Sequence, residues 1–388
     1  MTFSIQTLNA ISKHGLARFP GDLYQVDASG AQPDAILLRS ADMHKLAIPE
    51  SVRAIGRAGA GVNNIPVADL SKRGVVVFNA PGANANAVKE LVLAGILMSV
   101  RNLSEAQNFL REVDATRPDL DAHVEASKKN FVGSEVSGKT LGVIGLGAIG
   151  VKVANAARAL GMRVYGFDPH MTVEGAWNLS SDVVKAGSLN ELYQNADFVS
   201  FHVPLVPATR GLFNEASLSV IKKGATLINF SREGIVDEAA LLTGLNDGTL
   251  SRYVSDFPSH ALIKHPKALS FPHLGASTLE AEENCAYMVV DQVRDYLENG
   301  NIVNSVNFPN MSLARGGSQR VCVVNRNVPN MIGQLSHVFG AAGLNIAQMQ
   351  NASRGDYAYN LVDVDSEVLP EVRKQLEAIE GILSVRVI

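Results

Sequence analysis

The stretch Leu141 to Gly150, LGVIGLGAIG, constrains this chain more than any other. Leu141, Val143 and Ile144 read as a short buried strand. Gly145, Gly147 and Gly150 follow as G-x-G-x-x-G, and Val151 to Leu160 carry a helical pattern. In such a turn the first glycine permits a tight bend, the second lets backbone approach a pyrophosphate, and the third lets helix pack closely on strand. The helix N-terminus then offers unpaired N–H groups and a positive dipole end. A second strand, Arg163 to Phe167, ends at Asp168, eighteen residues after Gly150. A carboxylate there can accept hydrogen bonds from ribose hydroxyls and repels a 2′-phosphate, which points to NAD rather than NADP. A flavodoxin-like turn with no dinucleotide is the competing reading of the glycines alone.

With 388 residues, two or three domains are expected. Apolar residues make up 46% and charged residues 19%, ordinary for a globular protein, and the net charge of −4 gives no footprint for nucleic acid or an anionic membrane. Cys285 and Cys322 are too far apart to suggest a disulfide framework or a metal site. The opening MTFSIQTLNA lacks a basic segment followed by an apolar core, and the longest apolar run, Leu91 to Met98, is short of a membrane span. A cytoplasmic protein without membrane or metal is the expectation.

The order of elements predicts an α/β chain. Ala35 to Leu38 and Val75 to Phe78 read as parallel strands with a helix over Pro66 to Arg73, and Val88 to Arg101 as a long helix. Strands at Phe198–Phe201, Thr226–Phe230, Tyr253–Val254 and Leu269–Phe271 continue a doubly wound, Rossmann-like parallel sheet. Ser277 and Glu280 have capping-box spacing for a helix running to about Glu298, read as the return crossover into the first unit. The expected domains are therefore 1–95 with 285–308, 96–284, and 318–388, joined by a Pro-, Asn- and Gly-rich linker over Asn307–Gly317. The last unit reads βαββαβ, a ferredoxin-like order whose exposed strand edge suits pairing with a second copy. In open α/β sheets, ligands bind beyond the carboxyl ends of strands. That places Arg39-Ser40, the glycine run containing Gly59, and Asn79 to Gly82 as candidate anion contacts or, equally, as ordinary turns.

Oxidation of a hydroxy acid needs a cation for the carboxylate and a proton acceptor at the hydroxyl. Arg232 suits the first role through its planar fork, and His273 the second through its imidazole. Spacing alone leaves each open to a plainer reading, as a surface arginine and a turn histidine. Lys128-Lys129 reads as a solvated loop.

Asn229 to Glu238, NFSREGIVDE, resembles the arginine signature of the D-isomer-specific 2-hydroxyacid dehydrogenases. Pro272 to Thr278, PHLGAST, is similar to the histidine motif of that family's phosphoglycerate dehydrogenases, and Gly56 to Asn64 to its GRAGxGVDN run. The tail resembles the ACT domain of the same branch. The resemblance implies cofactor contacts at Ala148 and Ile149, Asp168, Val203, Phe230, Ser231, Arg232, Asp256, Gly275 and Ala276. It implies substrate contacts at Arg39, Ser40, Gly59 and Asn84 beside Arg232 and His273, with Lys128 and Lys129 acting across a dimer. It further implies NAD-dependent oxidation of 3-phospho-D-glycerate, the first step of L-serine synthesis, in a homodimer or homotetramer, with L-serine as effector at Asn327 and Asn345.

The chain departs from the pattern at four places. Ala148 stands where the family has an arginine, and Glu233 replaces the first glycine of the arginine motif. Ala261 stands where a carboxylate orients the histidine, so His273 is expected to be loosely held. Asn330 replaces a glycine of the tail's first turn and is expected to distort it. Two alternatives share the motifs: a glycerate or hydroxypyruvate reductase, and a non-catalytic NAD-sensing corepressor.

Overall fold

The computed structural model describes residues 2–30 and 32–388. The chain divides into two compact units, Met1–Ala83 with Leu279–Ile388, and Asn84–Thr278.

The second unit holds a seven-stranded, all-parallel sheet. Its order, from one edge, is Ala268–Ser270, Leu250–Ser255, Ala225–Asn229, Phe198–Phe201, Thr140–Ile144, Arg163–Phe167 and Val184–Lys185. The chain starts in the middle at Thr140–Ile144, winds outward one way, then crosses to Phe198–Phe201 and winds the other. This is the doubly wound topology, with its switch point between those two neighbours. The central strands are buried along their length because helices cover both faces.

The expected boundary near residue 95 lies earlier. Helix Ala85–Arg101 belongs wholly to this unit, since Val88, Val92 and Ile96 pack with Leu141, Val143, Val151 and Ile228. Beyond it, where Lys128-Lys129 was expected in a loop, come helices Leu103–Glu112 and Leu120–Ser127 and a 3-10 turn, Lys128–Phe131. None of these three elements buries a residue, although Leu103, Ala106, Phe109 and Leu110 recur at helical spacing along the first.

The first unit contains a five-stranded parallel sheet in the order Tyr24–Val26, Phe3–Thr7, Ala35–Leu38, Ala54–Arg57, Val76–Asn79. The return helix runs from Leu279 to Asn299 and buries Cys285, Ala286, Val289, Val293 and Tyr296 in this unit's core. The helix begins at Leu279, two residues after Ser277, whose N–H donates to Leu274 O at 3.0 Å.

The tail is not a separate body joined by a free linker. Its four-stranded antiparallel sheet has the order Ile346–Arg354, Tyr357–Val364, Gln319–Arg326, Ile382–Val387, with helices Met331–Ala341 and Pro370–Glu377, the ferredoxin-like arrangement. Alternation along the strands splits their apolar residues between two faces. Val321, Val323, Val362 and Val385 pack beneath the tail's own helices, whereas Cys322, Val324, Tyr359 and Leu361 join the core of the first unit beside Phe78, Tyr296 and Phe308. The buried Arg386 guanidinium lies 4.3 Å from the Tyr296 ring and donates to the Tyr296 and Leu297 carbonyls. Arg320 is fully buried, pairs with Asp363 (Nη2–Oδ2 2.8 Å) and donates to the carbonyls of Asn299, Leu313 and Ala314. The expected linker is pinned as well. Asn307 accepts from Val77 N and donates to Ser71 Oγ and Val75 O, and Phe308 is fully buried. Proline and asparagine content reports irregular backbone, not exposure.

Candidate active site

The glycine turn has the geometry a dinucleotide requires. Gly145 sits at φ +90°, and a Cβ there would lie 2.5 Å from His202 O. A Cβ on Gly150 would fall 1.9 Å from Gly145 O, while one on Gly147 would meet no heavy atom within 4 Å. Two glycines are thus demanded by packing, and the middle one leaves an open approach. Helix Ala148–Ala159 starts immediately after it, so its first-turn N–H groups have no intrahelical acceptors. The side chain lost at Ala148 leaves these backbone donors in place. A cavity of about 470 Å³ borders Gly147, Ala148, Val151 and Lys152 on one side and Thr172 and Gly175 on the other.

Asp168 follows the neighbouring strand. Its Oδ2 accepts from Leu146 N and its Oδ1 from His170 N, each at 2.8 Å, so the carboxylate is tied to the glycine turn itself. Each oxygen retains a further lone pair for a ribose hydroxyl.

Across the switch point, His202 and Val203 leave the strand Phe198–Phe201. Val203 Cγ1 flanks Gly145, and His202 Nε2 lies 2.8 Å from Ser200 Oγ. Burial pushes the His202 imidazole down to about 3, which keeps it neutral. The sequence marks this position only as a loop after a strand.

The next strand, Ala225–Asn229, delivers Phe230, Ser231 and Arg232. Asn229 is buried and clamps the loop from both ends of its amide. Nδ2 donates to Arg232 O at 2.9 Å, and Oδ1 accepts from Ser231 N at 3.1 Å and Ser231 Oγ at 2.9 Å. The Arg232 side chain is exposed, and its Nη1 donates to Ser231 O at 2.6 Å. Glu233 needs no special backbone, because the left-handed residue of this loop is Gly234, at φ +82°. The substitution of the family's first glycine therefore costs the loop nothing.

Asp256 and Phe257 follow Leu250–Ser255, and His273 follows Ala268–Ser270. Asp256 is 1% exposed. Its Oδ2 accepts from Gly275 N at 2.9 Å, joining the two loops, while the buried Oδ1 has no partner among the described residues. A buried carboxylate oxygen with no protein partner can accept a hydrogen bond from a bound group. His273 is exposed, with its ring edge-on to Phe257 (centroids 5.1 Å, 68°). Ala261 lies in an exposed turn, and no carboxylate of this unit pairs with His273. Gly275 is buried and Ala276 half-buried in the same loop. Because the sheet is parallel, the turn after Ile144, Asp168, His202-Val203, Phe230 to Arg232, Asp256 and His273 all leave its same edge.

Asn84 precedes the helix Ala85–Arg101 and accepts at its carbonyl from Val88 N. Lys128 is paired with Glu125, and Lys129 is exposed beside it.

In the other unit, Arg39-Ser40 and Gly59 follow adjacent parallel strands. Asn9 fixes the first turn, accepting from Arg39 N at 2.9 Å and donating to Ser40 Oγ at 2.9 Å. The Arg39 side chain is bound by Glu282, Nη1 to Oε1 2.6 Å, and the Arg57 guanidinium covers Gly59, where a Cβ would lie 2.0 Å from Nη1. Glu283, on the same helix, pairs with His14 at 2.7 Å. In the tail, Asn327 Nδ2 donates to Gly355 O and Asn345 Nδ2 to Asp365 Oδ2, leaving each amide oxygen as an acceptor. Asn330 takes the left-handed conformation, φ 63°, which asparagine tolerates better than other side chains.

Residues 93–275 match the model of the D-isomer specific 2-hydroxyacid dehydrogenase, NAD binding domain. A D-3-phosphoglycerate dehydrogenase of Haemophilus influenzae is 34% identical over 348 residues, which are 86% of this chain and 81% of that protein. Another, of Bacillus subtilis, is 36% identical over 291 residues, 72% of this chain; the match spans about half, 52%, of that longer relative. The structure of an NAD+-bound 3-phosphoglycerate dehydrogenase of Entamoeba histolytica superposes with a TM-score of 0.60 at 23% identity, covering 79% of this chain and 99% of that one, and shares the fold. The chain belongs to the D-isomer-specific 2-hydroxyacid dehydrogenases, a family of NAD-dependent oxidoreductases.

Proposed function

We propose that this protein oxidises 3-phospho-D-glycerate to 3-phosphohydroxypyruvate with NAD. One observation carries the reading: a single edge of one parallel sheet presents an open glycine turn, Asp168, Arg232, an Asp256 with an unpaired buried oxygen, and His273. The names of the relatives support the phosphorylated substrate. Bound NAD supplies the hydride acceptor. The glycine-turn N–H groups hold its phosphates, Asp168 its ribose, and Asp256 Oδ1 its carboxamide.

Arg232 takes the substrate carboxylate in its fork, which fixes the hydroxyl-bearing carbon. His273, as neutral imidazole, removes the hydroxyl proton as the C–H bond gives up its electron pair with hydrogen as hydride, and the C–O bond becomes a carbonyl. In reduction the same imidazole, protonated, returns that proton. Arg39 takes the phosphate, with Ser40, Gly59 and Asn84 completing the substrate contacts, and Lys128 and Lys129 act across a homodimer or homotetramer. L-serine is proposed as an effector at Asn327 and Asn345, and the protein is proposed to work in the cytoplasm.

A second reading, a reductase of unphosphorylated hydroxy-ketoacids, draws on the pairing of Arg39 with Glu282. Steady-state comparison of 3-phosphoglycerate with D-glycerate, and of their keto products, separates the two. A higher kcat/KM for the phosphorylated pair is expected, and a higher value for the unphosphorylated pair contradicts the proposal.

A further inference from the structure

We infer that Glu282 is an internal competitor for the arginine that binds the substrate's phosphate, and so sets how strongly this protein discriminates for phosphorylated substrates. The inference rests on the reading of Arg39 given above. Arg39 leaves its strand in a turn that is unusually well fixed. Asn9 holds its N–H and Ser40, and Asn64 Nδ2 donates to Ala41 O at 2.7 Å. These bonds fix the backbone from which the Arg39 side chain leaves, and what the guanidinium meets decides what it can bind.

It meets Glu282, on the first turn of the helix Leu279–Asn299, at 2.6 Å. The contact runs from Nη1 to Oε1, and the Arg39 and Glu282 side chains are 36% and 42% exposed. The guanidinium thus keeps donors for a second anion, but its charge is already neutralised by one carboxylate. A phosphate dianion that reaches Arg39 must either displace Glu282 from it or share the arginine with Glu282 against their mutual repulsion. A substrate with a hydroxyl at that end meets no such barrier. Glu282 therefore weakens binding of phosphorylated substrates selectively.

The test uses the full-length protein. Inorganic phosphate is titrated calorimetrically into the wild type, Glu282→Gln, Glu282→Asp and the double variant Arg39→Gln/Glu282→Gln, and KM values are measured for 3-phosphoglycerate and D-glycerate. Removing a partly exposed, salt-screened ion pair, with a doubly charged ligand opposite, is expected to tighten phosphate binding about three- to tenfold in Glu282→Gln. The KM for 3-phosphoglycerate should fall by a similar factor and that for D-glycerate should stay put. Glu282→Asp, which keeps the charge, should remain near the wild type, the gain should vanish on the Arg39→Gln background, and it should shrink as salt is raised. Phosphate binding no tighter in Glu282→Gln, or a gain that survives loss of Arg39, overturns the inference. The phosphate titration reads Glu282 directly, whereas a wild type that fails to oxidise 3-phosphoglycerate speaks against the proposed function instead.

Discussion

The His273 imidazole stands edge-on to the Phe257 ring, with the two centroids 5.1 Å apart. The two residues come from successive strands of the sheet, so the contact fixes one loop against the other. Such ring pairs contribute about 0.5–1.5 kcal/mol beyond their burial. Phe257→Ala should therefore lower kcat by about two- to tenfold, with little change in NAD affinity, and Phe257→Tyr should restore it. Equal losses in kcat and in NAD affinity would mean that the substitution disturbs the whole cofactor edge.

Asp256 is expected to matter to cofactor binding twice over, because Oδ2 holds Gly275 N and Oδ1 awaits a donor. A hydrogen bond to a charged group is worth about 1.5–3 kcal/mol. Asp256→Ala should weaken NAD by about tenfold or more, read as a dissociation constant by quenching or enhancement of nicotinamide fluorescence on titration with NADH. An unchanged constant would remove Asp256 from the cofactor site.

The proposed role of Asp168 is the choice of dinucleotide. Its carboxylate opposes a 2′-phosphate, so Asp168→Ala should narrow the ratio of kcat/KM for NAD over NADP by about tenfold or more. Equal efficiency with the two cofactors in the wild type contradicts this assignment.

Stability should depend strongly on the tail's buried ion pair. Asp363 is held down to about 2 against its burial by the Arg320 pair, Gln348 and the Gly316 N–H. Its pKa is lower folded than unfolded, so its contribution is present above the ordinary carboxylate pKa and is lost as pH falls toward about 2. Asp363→Asn leaves the fully buried Arg320 uncompensated and should cost about 3–5 kcal/mol in denaturant unfolding. Because Cys322, Tyr359 and Leu361 share one core with Tyr296 and Phe308, the tail should unfold together with the first unit. A separate, earlier transition for the tail would contradict that shared core.

Much of the scaffold is legible in the sequence. Strands such as Arg163–Phe167, Phe198–Phe201 and Tyr357–Val364 carry apolar residues dense enough to mark both ends. Leu250–Ser255 shows only its Tyr253-Val254 centre, because Ser251 and Arg252 interrupt the pattern. Helices Leu103–Glu112 and Leu120–Ser127 bury no residue, and the apolar spacing of Leu103, Ala106 and Leu110 in the first is a signal that the sequence reading passed over. Motifs place Arg232 and His273 after strands, but periodicity carries no information on what a side chain touches. Phe257 against His273, Glu282 against Arg39 and Asn229 behind Arg232 each join residues that only the folded topology brings together. The same limit hid the docking of the tail, where the second apolar face of its sheet was readable as strand but not as interface.

The central claim is that His273 exchanges the proton while Arg232 and the cofactor edge bind. It is tested most directly by measuring NADH formation from 3-phosphoglycerate and NAD in the wild type and in His273→Gln, alongside NAD binding to both. A general acid–base group typically contributes about 10²- to 10⁴-fold, so kcat should fall within that range while the NAD dissociation constant stays within about twofold. A His273→Gln protein that retains the wild-type kcat would contradict the account.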